Sequence, residues 1–156
     1  NDQSLGVAID SNNNVYITGY TADDLDGNTN AGASDAFLTK YDSDGVKKWT
    51  QLLGSNQDDV SFGIAIDSNN NVYITGWTWG DLDGNTNTGS VDAFLTKYDS
   101  DGDKKWTQLL GTSDYDYSNA VAIDSNNNVY ITGFTYGDLD GNTNAGSSDA
   151  FLTKYG

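Results

Sequence analysis

Cysteine, histidine, arginine and methionine are all missing from the 156 residues. Without cysteine there are no disulfides and no thiolate chemistry. Without histidine the commonest general base and the commonest transition-metal ligand are gone. Without arginine there is no clamp for a substrate carboxylate of the kind a sialidase needs. With no initiator methionine, the chain is expected to be a processed, excised or engineered piece. No apolar run is long enough to span a membrane, and none has the form of a signal peptide. Positive charge is scarce as well: seven lysines face 23 acids, for a net charge of −16. A surface this acidic repels nucleic acid and anionic membranes and suits bound cations, basic partners or high salt.

What is present is repetition, which has to be settled before any local reading. "AIDSNNNVYITG" occurs identically from Ala8, Ala65 and Ala122, and "DAFLTKY" from Asp35, Asp92 and Asp149. Both recur every 57 residues. "KKWTQLLG" occurs from Lys47 and Lys104 and has no third copy. Three units of 57 would take 171 residues, and the chain has 156. The units divide as 1–57, 58–114 and an incomplete 115–156.

Each unit offers four strand-like runs and no amphipathic helix. In the second copy they are "GIAID" from Gly63, "NVYITGW" from Asn71, "DAFLTKY" from Asp92 and "KKWTQLL" from Lys104. β-branched and aromatic residues alternate along them, with bulk on both sides, as expected of sheets covered on both faces. "DSNNN" and "DSDG" are short and tolerate left-handed backbone, so they read as tight hairpins. Four antiparallel strands per repeated unit predict an all-β fold of β-propeller blades, about three of them. A β-trefoil is the alternative, but it needs twelve strands to close and this chain supplies eleven.

The succession "GIAID", "NNNVYITG", "DAFLTKYDSDG", "KKWTQLLG" resembles the SBBP repeat, the seven-bladed β-propeller repeat of bacterial surface and secreted proteins. It is similar, less closely, to NHL-type blades. The resemblance implies that "GIAID" is the innermost strand and "KKWTQLL" the outermost. It also implies a secreted or cell-surface location.

Antiparallel alternation places the long connection between strands two and three on the same face as the loop leading into the next unit. That face gathers Asp58, Asp59, Asp114 and Asp116. Tyr20, Trp77, Trp79, Phe134 and Tyr136 lie near it, at positions that vary within a fixed frame, which is where ligand binding would differ between blades. The long connection carries "DLDGNTN". Its oxygen-bearing side chains are Asp24, Asp26, Asn28 and Asn30, then Asp81, Asp83, Asn85 and Asn87, then Asp138, Asp140, Asn142 and Asn144. Calcium takes such ligands. However, the glycine stands at the fourth position of the motif, where an EF-hand loop has it at the sixth. Turn chemistry through side-chain to backbone bonds is the competing reading.

"YDSDGVKKWT" resembles the Asp box of sialidase-like propellers, a folding turn. Lys40, Lys97 and Lys154 are expected to pair with neighbouring aspartates, and Trp49 and Trp106 to pack between blades. A catalytic carboxylate pair needs two different environments, whereas these acids recur identically in each unit. The chain is therefore expected to be a non-catalytic scaffold or binding module. Alternatives are a glycan-binding propeller using the aromatics and, less favoured, a glycoside hydrolase. Fewer than three blades do not close a ring, so self-association is expected, a head-to-tail homodimer giving six blades.

Overall fold

The computed structural model describes residues 1–156 and contains eleven strands and no helix. They are β1 (Asp2–Ile9), β2 (Val15–Thr21), β3 (Asp35–Tyr41), β4 (Lys47–Leu53), β5 (Asp59–Ile66), β6 (Val72–Thr78), β7 (Asp92–Tyr98), β8 (Lys104–Leu110), β9 (Asp116–Ile123), β10 (Val129–Thr135) and β11 (Asp149–Tyr155). They form three separate antiparallel sheets, β1-β2-β3-β4, β5-β6-β7-β8 and β9-β10-β11. Each is a blade, and blade 3 ends at its third strand. Separate stacked sheets replace the shared barrel a trefoil would need. β5 packs on β1 and on β9, so the first strand of each blade lies along the common inner line.

The first strand is longer than the alternation predicts. β5 begins at Asp59, four residues before "GIAID", because the ladder continues past a bulge between Ser61 and Gly63. Gly76 is what allows the bulge: a Cβ there would lie 1.8 Å from the Val60 carbonyl oxygen. Gly19 and Gly133 serve the same purpose against Gln3 and Tyr117.

Both faces of each sheet are used, as the two-sided bulk implies. Tyr16, Ala36, Leu38 and Leu53 of blade 1 form one core with Val72, Ile74, Leu82, Phe94 and Tyr98 of blade 2. Tyr73 and Leu95, on the opposite face of blade 2, form the next with Val129 and Ile131 of blade 3. Trp49 joins the first core and Trp106 the second, as the outer-strand tryptophans were expected to do. Lys40, Lys97 and Lys154 depart from expectation. They make no aspartate pair but lie over the rings of Tyr16, Tyr73 and Tyr130 at 5.4, 5.3 and 5.7 Å. These lysines stand opposite those tyrosines in the ladder, which brings each ammonium over a ring, and Lys40 Nζ also donates to the Ser100 carbonyl of blade 2 at 2.7 Å.

The repeated strand "DAFLTKY" supplies its own control. Leu38 and Leu95 are fully buried, whereas Leu152 is 71% exposed. Leu95→Ala should therefore cost about 2–5 kcal/mol by denaturant unfolding. In dilute monomeric solution Leu152→Ala should cost less than about 0.5 kcal/mol, and equal costs would contradict the stacking.

Candidate functional site

The face built from the β2–β3, β6–β7 and β10–β11 connections holds most of the residues singled out above. Within "DLDGNTN" the backbone turns at Asp26 and Gly27, with φ of 51° and 82°, and at Asp83–Gly84 and Asp140–Gly141 with similar values. Leu25 and Asn28 exchange both backbone hydrogen bonds across it, at 3.0 and 2.9 Å. Two adjacent left-handed residues closed in this way form a primed two-residue turn, which Asp-Gly favours.

The other side chains brace that turn. Asp24 Oδ1 accepts from the Asn30 N–H at 2.9 Å, and Asn30 Nδ2 donates to the Thr21 carbonyl at 3.0 Å. Asn28 Nδ2 donates to the carbonyls of Leu25 and Thr50. Asp26 accepts from Lys47 and from Thr50 Oγ1, and the Lys47 bond is the main force holding its carboxyl below the usual range. Blade 2 repeats the arrangement with Asp81, Asp83, Asn85 and Asn87. In blade 3, Asp138 accepts from the Asn144 N–H, and Asn142 Nδ2 donates to the Leu139 carbonyl. The Asn28 and Asn30 amides and their equivalents aim their nitrogens inward at backbone carbonyls, and in blades 1 and 2 Asp26 and Asp83 face a lysine. Nowhere in the chain do three or more acidic side chains come together in a metal-binding group.

Of the aromatic candidates, five are expected here and four meet. Trp77, Trp79, Phe134 and Tyr136 join one cluster through Tyr115 and Tyr117, while Tyr20 in blade 1 has no aromatic partner. Tyr117 stacks on Phe134 at 4.9 Å and Tyr115 lies edge-on to both Trp79 and Tyr136. Tyr115 and Tyr117 were not singled out from sequence. The signal was their departure from Asp58 and Val60, their counterparts in blade 2.

The acids leading into each blade divide sharply. Asp58 is partly exposed and Asp114 exposed. Asp59 and Asp116, at the first positions of β5 and β9, are fully buried at the blade junctions. Asp59 Oδ2 accepts from the Ser55 N–H and hydroxyl, and Asp59 Oδ1 has no partner. Asp35 Oδ1 is likewise unpartnered. Burial pushes Asp59 up to about 6, with the Asp35 charge adding to it, and burial also raises Asp35 and Asp92. Exposed turn acids move the other way: the Asn128 amide and backbone N–H hold Asp124 at about 2.

A β-propeller repeat model matches residues 1–26, 48–83 and 105–140; the first match covers β1 and β2, and the other two run from the outer strand of one blade through the first two strands of the next. This chain belongs to the SBBP β-propeller repeat family. The match is to the repeating unit and sets no blade number for a closed ring. The regulatory protein FlaEY of Caulobacter vibrioides is 30% identical over 143 residues, covering 85% of this chain and 15% of that protein. An uncharacterized WD repeat-containing protein of Acanthamoeba polyphaga mimivirus, L264, is 26% identical over 189 residues, 96% of this chain and 14% of its own length. The chain thus spans about a seventh of the curated relatives it matches.

The buried carboxylate gives a pH signature. A native pKa near 6 above an ordinary unfolded value means that the folded chain holds the extra proton in between. The stability linked to Asp59 is complete below about pH 4 and is lost as pH rises through about 6. Asp59→Asn should therefore gain on the parent by about 2–3 kcal/mol between pH 4 and pH 7. Parallel stability curves across that range would rule out the buried titration.

Proposed function

We propose that this chain is a non-catalytic propeller scaffold that closes its ring with further copies of itself, two chains giving six blades. The observation that carries this reading is a junction made twice inside the chain whose two halves recur, uncovered, at its ends. Thr18 Oγ1 donates to Ser61 Oγ at 2.9 Å across the first junction, and Thr75 Oγ1 to Ser118 Oγ at 2.8 Å across the second. Thr132 and Ser4 are the next such pair. Asp59 N–H donates to the Ser34 carbonyl and Asp116 N–H to that of Val91, both at 2.8 Å. Asp2 and Ser148 hold the matching positions.

The apolar halves correspond as well. Ile74 and Leu82 are fully buried on the back of blade 2, while Ile17 and Leu25 on the back of blade 1 are only half-buried. Tyr16 and Tyr73 are buried on the front of their blades, while Tyr130 is half-buried and Leu152 exposed on the front of blade 3. A head-to-tail contact reuses residues already selected to fit, and a two-fold ring satisfies both ends at once. The aromatic cluster, in this reading, strengthens the second junction instead of forming a sugar platform.

Light scattering should give a mass of two chains at micromolar concentration. Leu152→Asp on one end, or Ile17→Asp on the other, should shift it to one chain while leaving the strand signal in circular dichroism intact. A stable parent monomer that binds no exposed-surface dye would overturn ring closure.

The "DLDGNTN" loops are structural turns in this scaffold. Millimolar calcium should leave the melting temperature unchanged, and Gly84→Ala should cost about 1–2 kcal/mol by placing a Cβ at a left-handed position. A calcium-dependent rise in melting temperature that a chelator reverses would restore the metal reading.

A further inference from the structure

The aromatic cluster at the second junction has two layers. Trp77, Tyr117 and Phe134 are half-buried, with Tyr117 stacked on Phe134 and edge-on to Trp77. Two residues away along each segment, Trp79, Tyr115 and Tyr136 remain 46%, 40% and 46% exposed. The first junction closes without an outer layer of this kind. Its residues at the same three positions are Ala22, Asp58 and Trp79, yet it keeps the Thr18–Ser61 bond and a larger apolar core. Packing between blades therefore leaves the three exposed rings unexplained.

These rings form walls, not a flat platform. Tyr115 lies edge-on to Trp79 of blade 2 and to Tyr136 of blade 3, with centroids 6.2 and 6.1 Å away and interplanar angles of 72° and 75°. The backbone fixes where they stand: the Tyr136 N–H donates to the Tyr115 carbonyl at 2.9 Å, and the Trp79 N–H to the Asp58 carbonyl at 3.0 Å. A sugar stacks on one open ring face, whereas near-perpendicular rings suit a rounded group held by several faces.

The charge around the rings has one sign. Asp114 precedes Tyr115, and its Oδ2 lies 3.2 Å from where a Cβ on Gly137, the neighbour of Tyr136, would stand. Neither Asp58 nor Asp114 is in an ion pair. The seven lysines are engaged elsewhere. Lys47, Lys48, Lys104 and Lys105 pair with Asp26, Asp42, Asp83 and Asp99, and Lys40, Lys97 and Lys154 lie over Tyr16, Tyr73 and Tyr130. The chain thus holds a cation over a tyrosine three times and leaves its three exposed rings without one.

We propose that Trp79, Tyr115 and Tyr136 form a cage for a small soluble organic cation bearing a trimethylammonium group, with Asp58 and Asp114 supplying the countercharge. Ring faces attract a cation through their quadrupole, tryptophan most strongly. A bare ammonium is strongly hydrated and gives up its water reluctantly. A methyl-covered cation loses less, and its methyls bury against the rings. The acids select further, against ligands that carry a carboxylate beside the cation. The cage lies at a junction inside the chain, so it does not depend on ring closure.

The test is a choline titration of the intact 156-residue chain, followed by saturation transfer from the protein to the choline methyl protons. Saturable binding is expected, with a Kd of about 1 mM or tighter. Two comparisons need no altered protein. The neutral isostere 3,3-dimethylbutan-1-ol and the carboxylate-bearing glycine betaine should each bind at least about tenfold more weakly than choline. Trp79→Ala should weaken choline about tenfold with the circular dichroism unchanged, and Asp101→Asn, an exposed turn acid at the opposite end of the blade, should leave it unaltered. Equal binding of the neutral isostere, no saturation by tens of millimolar choline, or equal affinity of Trp79→Ala would overturn the proposal. So would a neutral disaccharide that binds more tightly than choline, since the rings would then be a sugar platform. The mass of the free chain reports ring closure separately, so either idea can fail alone.

Discussion

The structure depends on covering both faces of a sheet. A helix can turn a polar stripe to water, but the strands of these blades carry bulk on alternate sides, and each side needs a neighbour. Blade 2 shows the satisfied state, with "DAFLTKY" buried at six of its seven positions. The same seven residues in blade 3 alternate between half-buried and exposed. Since the sequence is identical, the difference measures the neighbours alone. Fully burying one leucine is worth about 1.5–3 kcal/mol, so each junction sums several such gains. Stability is then a sum of what each blade supplies alone and what its junctions add, as in other repeat arrays.

The charge has to be accommodated within that frame. All 23 acids are aspartate, and the short side chain suits local turns in a way that a longer one does not. Asp10, Asp67 and Asp124 each accept from backbone N–H groups two and four residues ahead, and from an asparagine amide and a tyrosine hydroxyl. Asp42 and Asp99 close the other hairpins and also hold Lys48 and Lys105 at 2.6 and 2.5 Å. Four of the seven lysines sit at the start of the outer strands, where they neutralise the loop and hairpin acids on either side. The exceptions are the acids at the blade junctions. Asp59 is shut away from water with one oxygen unpartnered, and it is there that charge and packing conflict.

Much of this was legible in sequence because the repeat averages out local noise. Four strands per unit, two tight hairpins and the shared face of the long connections all follow from alternation and turn residues. What was not legible depends on depth or direction. "DLDGNTN" offers four oxygen-bearing side chains whether they turn to a cation or to their own backbone, and only the orientation of the Asn28 and Asn30 amides separates the two. The extra turn of strand before Gly63 was hidden because a bulge breaks the period of two. Lys40 looked like an ion-pair residue because charge is visible in a sequence and the ring opposite it is not. Tyr115 and Tyr117 stood among acids in a loop-like stretch, where pairing with the next strand could not be seen.

Arrays of stacked repeats ordinarily end in caps whose outer faces are polar, because an unmodified internal face would be left in water. The blades at either end of these 156 residues carry internal-type faces. The first blade presents Ile17 and Leu25, whose blade 2 counterparts are buried, with Val7 and Ile9, whose counterparts are half-buried, and the third presents Leu152 with Tyr130, whose counterparts are buried. The acids do not compensate, since Asp2 and Asp149 occupy the positions that are buried at the internal junctions. The ends are therefore shaped as two halves of an internal junction. In the proposed ring, a curved array would be left with no end faces, and its junctions would share the repeat's common core residues while differing in the aromatics of the second one. A blade that must be able to follow any other blade cannot be specialised at either face, and variation is left to the loops, where Trp79, Tyr115 and Tyr136 differ from their counterparts.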